Sequence, residues 1–203
     1  YKSNAFQIKS GITTMFTILM FLLLAPSIHA FPKESFITVT IPVRGYEDWG
    51  LKDQLPLDLP LFYYEQASQS GIPTSYMLRY DAIQDQEISS KLADLVATNS
   101  EQILGGLLEV TPKLAKAANA TYQNHGSFNS ANHLFLSGYS REDRLRIIDT
   151  YMETFFERFG NYPPVVGVDS LDSYSFNYLV SHYSVIAAFV ADEAYQNQKL
   201  RQW

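Results

Sequence analysis

The chain has 203 residues, of which 46% are hydrophobic and 18% are charged, a composition typical of one globular domain and not of a disordered chain. The formal net charge of −6 and the lack of any Lys/Arg cluster exclude nucleic acid as an expected partner. The absence of cysteine excludes disulfides, thiolate nucleophiles and cysteine-based zinc sites. The 14 tyrosines and 13 phenylalanines are compatible with either core packing or a sugar-stacking surface.

Residues 1–30 have the pattern of an export signal. Lys2 and Lys9 precede the apolar run Met15–Ala25, and a break follows that ends at the small residue Ala30. The alternatives are an uncleaved membrane anchor over residues 11–25 or a buried core helix. We therefore expect a signal peptide or anchor over 1–30, a folded domain over 31–203, and an extracellular or cell-surface location.

Runs of β-branched and apolar residues predict three strands in the first half of the folded domain, separated by helical stretches. The predicted strands cover 36–43, 73–79 and 103–110. The predicted helices cover 61–70, the stretch around Ile88–Val96, and a short segment after Pro112 that leads into a long polar loop.

Residues 133–192 have the pattern strand, helix, strand, helix, strand. The predicted strands are 134–136, 165–168 and 185–191, and the helices between them are 140–160, with Ser140 as its N-cap and Gly160 at its end, and 173–183. Apolar runs that alternate with amphipathic helices indicate parallel strands covered on their faces. The sequence therefore predicts an α/β protein with six strands, either a (β/α) barrel that is incomplete at the C-terminus or an open doubly wound sheet.

Functional residues of parallel α/β folds follow the carboxyl ends of the strands. Every predicted strand end in the sequence carries a polar residue: Arg44, Asp81, Glu109, Ser137, Asp169 and Asp192-Glu193. Strand ends are often exposed to water, and that exposure alone also explains polar residues there. Glu109 is distinctive because it lies inside the apolar run Leu107–Val110. Burial of a carboxyl group favours its protonated form, as a general acid requires.

The sequence lacks the motifs that are typical of several reaction classes. The sequence contains neither a Gly-rich phosphate loop nor a G-x-S-x-G nucleophile elbow. His125 and His133 lie eight residues apart around the Asn-rich loop, and they are the histidines that could contribute to a metal site.

The order of elements over residues 36–192 resembles the polysaccharide deacetylase superfamily, the (β/α) barrels of the glycoside hydrolase/deacetylase type. The segments that carry the resemblance are Thr38–Gly45, Leu61–Leu78, Ser140–Val168 and Asp172–Tyr183. Deacetylases of this family have an Asp-Asp pair before the glycine that follows strand one, whereas this chain has Val43-Arg44. They also have His-x-x-x-His after strand three, where Leu107–Thr111 contains no histidine. The usual metal ligands are therefore not matched.

Three functional hypotheses follow from this resemblance and the strand-end residues. The first is an exported hydrolase acting on an extracellular or cell-envelope polysaccharide, with Glu109 as acid/base and Asp81 or Asp169 as its partner. Its substrate-binding residues would be Arg44, Tyr80 and Asp192. The second is a non-catalytic glycan-binding or wall-associated domain that has lost the metal site.

The third hypothesis is a deacetylase that holds a divalent metal through Asp81, Glu109 and His125 or His133. No cofactor is expected under the other two hypotheses. Membrane contact is expected only through residues 11–25, and only if the signal segment is not cleaved.

Overall fold

The structure, a computed structural model, describes residues 38–47, 65–66, 69–123, 134–168 and 170–189. The predictions for residues 1–30, His125, His133, Asp169 and Asp192 lie outside these ranges, and the helix predicted over 61–70 falls only partly within them. Among the described helices, none is both long enough and apolar enough to cross a bilayer.

Five parallel strands form one sheet in which the spatial order follows the chain order. They are β1 Val39–Val43, β2 Thr74–Arg79, β3 Gln102–Leu107, β4 Val165–Gly167 and β5 Ala187–Phe189. Because each crossover moves to the next strand in the same direction, right-handed crossovers place the helices on one face of the sheet. The sheet curls into a half-barrel, and the predicted parallel α/β architecture is confirmed in this form.

In the described part of the chain, the helices with complete bounds are α1 Tyr80–Gln84, α2 Gln86–Thr98, α3 Pro112–Ala117, α4 Arg141–Phe159 and α5 Ser173–Tyr183. The side chain of Ser140 accepts the N–H of Asp143 and caps α4, as predicted. Gly160 ends α4 in the left-handed region at φ 75°, which a residue without Cβ adopts at little cost.

The strand predicted over 134–136 is wrong. Leu136–Gly138 form a 3-10 turn, and the Val110 N–H, three residues after the end of β3, donates to the Leu134 carbonyl (2.8 Å). No strand can lie between β3 and β4 because Gly106 pairs directly with Val166. The segment is therefore part of a long crossover, and the described sheet has five strands where six were predicted.

The two faces of the sheet have different neighbours. Tyr76 and Leu78 point toward the helices and belong to the main hydrophobic core. The alternate residue Met77 points to the inner face of the half-barrel, where its side chain lies close to Gly105 and Gly167. The same alternation directs the side chain of Arg79, the last residue of β2, toward this inner face.

The candidate functional site at the carboxyl edge of the sheet

Four charged side chains meet where β1, β2 and β3 end. Arg44 follows β1, Arg79 ends β2, Asp81 lies in the first turn of α1, and Glu109 comes two residues after β3. Ion pairs connect them in the order Asp81, Arg79, Glu109, Arg44. The structure thus brings together three of the predicted site residues and adds Arg79, which was not among the predicted site residues.

Asp81 is held by both side-chain and backbone donors. The Nε and Nη2 atoms of Arg79 donate to its two carboxylate oxygens, each at 2.8 Å. The backbone N–H groups of Glu47 and Ala82 donate at 3.1 Å. Gly45 packs against this carboxylate so closely that a Cβ at its position would lie 2.7 Å from Oδ2 of Asp81. This network fixes the loop after β1 to the end of β2.

Glu109 is buried and shared by two guanidinium groups. The Nε of Arg44 donates to its Oε2 at 2.8 Å, and the Nη2 of Arg44 donates to Oε1. The Nη1 of Arg79 reaches Oε2 at 3.4 Å. The Glu109 side chain is 2% exposed, whereas that of Arg44 is 38% exposed. Arg44 is therefore the member of this pair that a ligand in solvent meets.

The network stabilises the charged form of Asp81. Burial alone raises the pKa of this carboxyl group, but the hydrogen bonds and charge of Arg79, with the N–H groups of Glu47 and Gly45, lower the pKa below its usual 3.8. Because the folded pKa is depressed, the stabilisation by Asp81 is fully present above the unfolded value and is lost as the pH falls through the folded value.

We expect the difference in unfolding free energy between the wild type and Asp81→Asn to be large at pH 7 and to shrink on acidification below about pH 4. Urea denaturation at a series of pH values from 7 to 2.5 measures this difference. A difference that stays constant, or grows in acid, would contradict the assignment of Asp81 as an ion-paired carboxylate.

The other predicted site residues do not join this cluster within the described part of the chain. The buried side chain of Tyr80 lies between α1 and α4, where its hydroxyl accepts a hydrogen bond from Gln84 (3.0 Å) and forms another with Thr154. Burial raises the pKa of Tyr80. The described contacts of Tyr80 are thus with the helices, and its role in substrate binding stays a prediction.

The described residues do not fit a divalent metal ion. Asp81 and Glu109 supply carboxylate oxygens, but each is already in hydrogen-bond contact with a guanidinium group. A cation bound at these oxygens would lie next to the positive charges of Arg79 and Arg44. No group of three or more metal-ligating side chains occurs in the described ranges.

A second set of polar residues lies on the same edge, where α4 and α5 begin. The Nη1 of Arg144 donates to Oδ2 of Asp172 at 2.6 Å, and this ion pair joins the first turn of α4 to the N-cap of α5. The hydroxyl groups of Ser137 and Ser170 lie 3.2 Å apart. We call the residues of this set the rim; they are Ser137, Arg141, Arg144, Ser170, Asp172 and Tyr174.

The chain was compared with known proteins at the levels of sequence and structure. No protein-family model matches it, and neither does any curated protein. Its fold matches the crystal structure of a candidate glycoside hydrolase/deacetylase from Parabacteroides distasonis with a TM-score of 0.50 and 15% sequence identity. The match covers 77% of this chain and 35% of that chain, about a third of its length. This chain therefore has the α/β fold of a glycoside hydrolase/deacetylase-type structure, which confirms at the level of fold the resemblance found in its sequence.

Proposed function

We propose that this chain is a carbohydrate-directed domain that binds a glycan at the carboxyl edge of its sheet through Arg44, whose side chain Glu109 holds in place. The observation that carries the proposal is a half-exposed guanidinium anchored on a buried carboxylate, located where (β/α) folds bind their ligands. The description of the fold neighbour as a glycoside hydrolase/deacetylase supports carbohydrate as the ligand class.

The chemistry of the pair suits sugar hydroxyl groups. A guanidinium presents N–H donors in one rigid plane, and a carboxylate accepts hydrogen bonds only. The two hydrogen bonds from Arg44 to Glu109 fix the orientation of that plane before a ligand arrives. Such preorganisation lowers the entropy lost on binding.

Hydrolysis by Glu109 is the second candidate function. Both oxygens of Glu109 accept hydrogen bonds from guanidinium groups, so an acid or base role requires that Arg44 first move away. Arg44 is 38% exposed, so this movement would break its two hydrogen bonds to Glu109 but would not unpack a buried side chain. The partner carboxylate would be Asp81 or Asp169, and the substrate would be an extracellular or cell-envelope polysaccharide if residues 1–30 direct export.

Replacement of Arg44 by Ala is expected to weaken glycan binding about tenfold or more, the effect of losing a charged hydrogen bond. Isothermal titration of the full chain with a panel of oligosaccharides measures the affinity. Lys91→Ala is the matched control, since it removes an exposed cation that pairs with Glu87 on α2. Unchanged affinity in Arg44→Ala, or an equal loss in Lys91→Ala, would overturn the proposed site.

An assay for new reducing ends separates hydrolysis from binding. If the wild type releases reducing ends and Glu109→Gln does not, the domain is a hydrolase and Glu109 is its acid/base. Release that persists at the wild-type rate in Glu109→Gln would exclude that role. Saturable binding without any product supports the non-catalytic function.

A further inference from the structure

We infer that Arg141 and Tyr174, on the rim, form a second glycan-binding position that accepts an acidic sugar unit, such as a uronic acid. The inference rests on the proposed function, which it extends by naming a substrate class. The two residues belong to different helices, and the guanidinium carbon of Arg141 lies 5.0 Å from the centroid of the Tyr174 ring.

The position lies on the same edge of the sheet as Arg44. In a β/α unit the helix begins where the preceding strand ends, so α5, which follows β4, begins at the carboxyl edge. The crossover from β3 also delivers the first turn of α4 to that edge, where Arg144 pairs with Asp172. The two proposed positions therefore lie on one edge of the sheet, after β1 and after β4, and a polymeric ligand bound at both would run along that edge.

The rim holds Tyr174 in place. Asp172 caps α5 by accepting the backbone N–H groups of Tyr174 and Ser175, each at 3.1 Å. The ion pair of Asp172 with Arg144 fixes this cap to α4. Burial raises the pKa of Asp172, but the hydrogen bonds from Ser175 and Arg144 together lower it below its usual value, so the cap remains charged.

The exposed groups of this pair match an anionic sugar. Tyr174 is 40% exposed, which leaves an aromatic surface on which the C–H face of a sugar ring can stack. The guanidinium of Arg141 lies over the Tyr174 ring, and among the described residues no hydrogen bond or ion pair engages it. A guanidinium can bind a carboxylate through two parallel N–H···O hydrogen bonds. Ring and cation together therefore favour a sugar that carries a carboxylate.

Phe156 provides a matched comparison on the same helix. It is 42% exposed, but it lies 15 residues after Arg141, about 22 Å farther along α4, and it packs on Tyr162 (centroids 4.9 Å apart). Its surroundings include the carboxylate of Glu153, which hydrogen bonds to Tyr162. Phe156 is therefore an exposed aromatic ring on α4 that lies away from the rim, and among the described residues no cation lies over it.

The test uses the full chain and two probes, a galacturonic acid hexamer and an N-acetylglucosamine hexamer, with affinities measured by isothermal titration. We expect the wild type to prefer the acidic hexamer. Tyr174→Ala should weaken that binding about tenfold, and Arg141→Gln should remove the preference for the acidic hexamer. Phe156→Ala should bind as the wild type does, and thermal melting of each variant checks that it is folded.

The outcomes separate the two proposals. If Tyr174→Ala and Arg141→Gln both bind the two hexamers as the wild type does, the rim position is overturned and the proposed function stands. A wild type that prefers the neutral hexamer overturns the acidic substrate class. A wild type that binds neither hexamer nor any member of the wider panel overturns the proposed function and the rim position together.

Discussion

Arg79→Met is expected to lower the free energy of unfolding by about 3–5 kcal/mol, a large part of the stability of a domain of this size. The Arg79 side chain is fully buried and contacts the carboxylates of both Asp81 and Glu109. Methionine keeps an unbranched apolar stem but lacks the guanidinium, its charge and its donors. The substitution therefore leaves Asp81 buried without its bidentate partner, and a buried unpaired charge is among the most destabilising changes in a protein.

Urea denaturation of the full chain at pH 7 measures this loss. Arg158→Met is the matched control, because Arg158 is exposed and donates to the hydroxyl groups of Ser89 and Ser90 on α2, where water can replace it. We expect that control to lose about 1 kcal/mol or less. Arg79→Lys should fall between the two, since it keeps the charge and loses the bidentate geometry. A loss in Arg79→Met no larger than in Arg158→Met would contradict the central role of Arg79.

The sequence predicts most of the sheet because its strands are short runs of β-branched and apolar residues bounded by polar ones. The run Leu134–Leu136 has the same local pattern, but it forms a turn at the end of a crossover. A three-residue apolar run cannot by itself distinguish a strand from a buried turn. What decides between them is the pairing of Gly106 with Val166, a contact 60 residues apart in sequence that no local pattern records.

Part of the candidate site is also predictable from the pattern of apolar runs bounded by polar residues. Arg44 and Asp81 follow apolar runs near predicted strand ends, and Glu109 lies inside the apolar run at the end of the third predicted strand, so the position of strand ends is enough to select all three. Arg79 lies inside the run from Thr74 to Tyr80, where a charged residue contradicts the expectation of an apolar core. The alternation with Tyr76 and Leu78 is a usable signal, since it places Arg79 on the opposite face from them.

Tyr151→Phe is the second large effect, and we expect it to lower the free energy of unfolding by about 2–4 kcal/mol. The Tyr151 hydroxyl donates to the Leu78 carbonyl at 2.5 Å and accepts the Leu107 N–H at 3.1 Å. This one oxygen therefore joins α4 to both β2 and β3. Gly106 makes the approach possible, because a Cβ there would lie 2.9 Å from the hydroxyl. Burial raises the pKa of Tyr151, so the hydroxyl keeps its proton.

Tyr162→Phe is the matched control for this substitution. Its hydroxyl donates to the Glu153 carboxylate at 2.9 Å in an exposed hydrogen bond, and its removal should leave the stability close to that of the wild type. Leu78 precedes Arg79 and Leu107 lies two residues before Glu109, so Tyr151 also fixes the strand ends that carry the site. Tyr151→Phe should therefore weaken glycan binding under conditions where the variant is folded. Equal stability losses in the two variants would show that the link through the buried hydroxyl does not hold the strand ends.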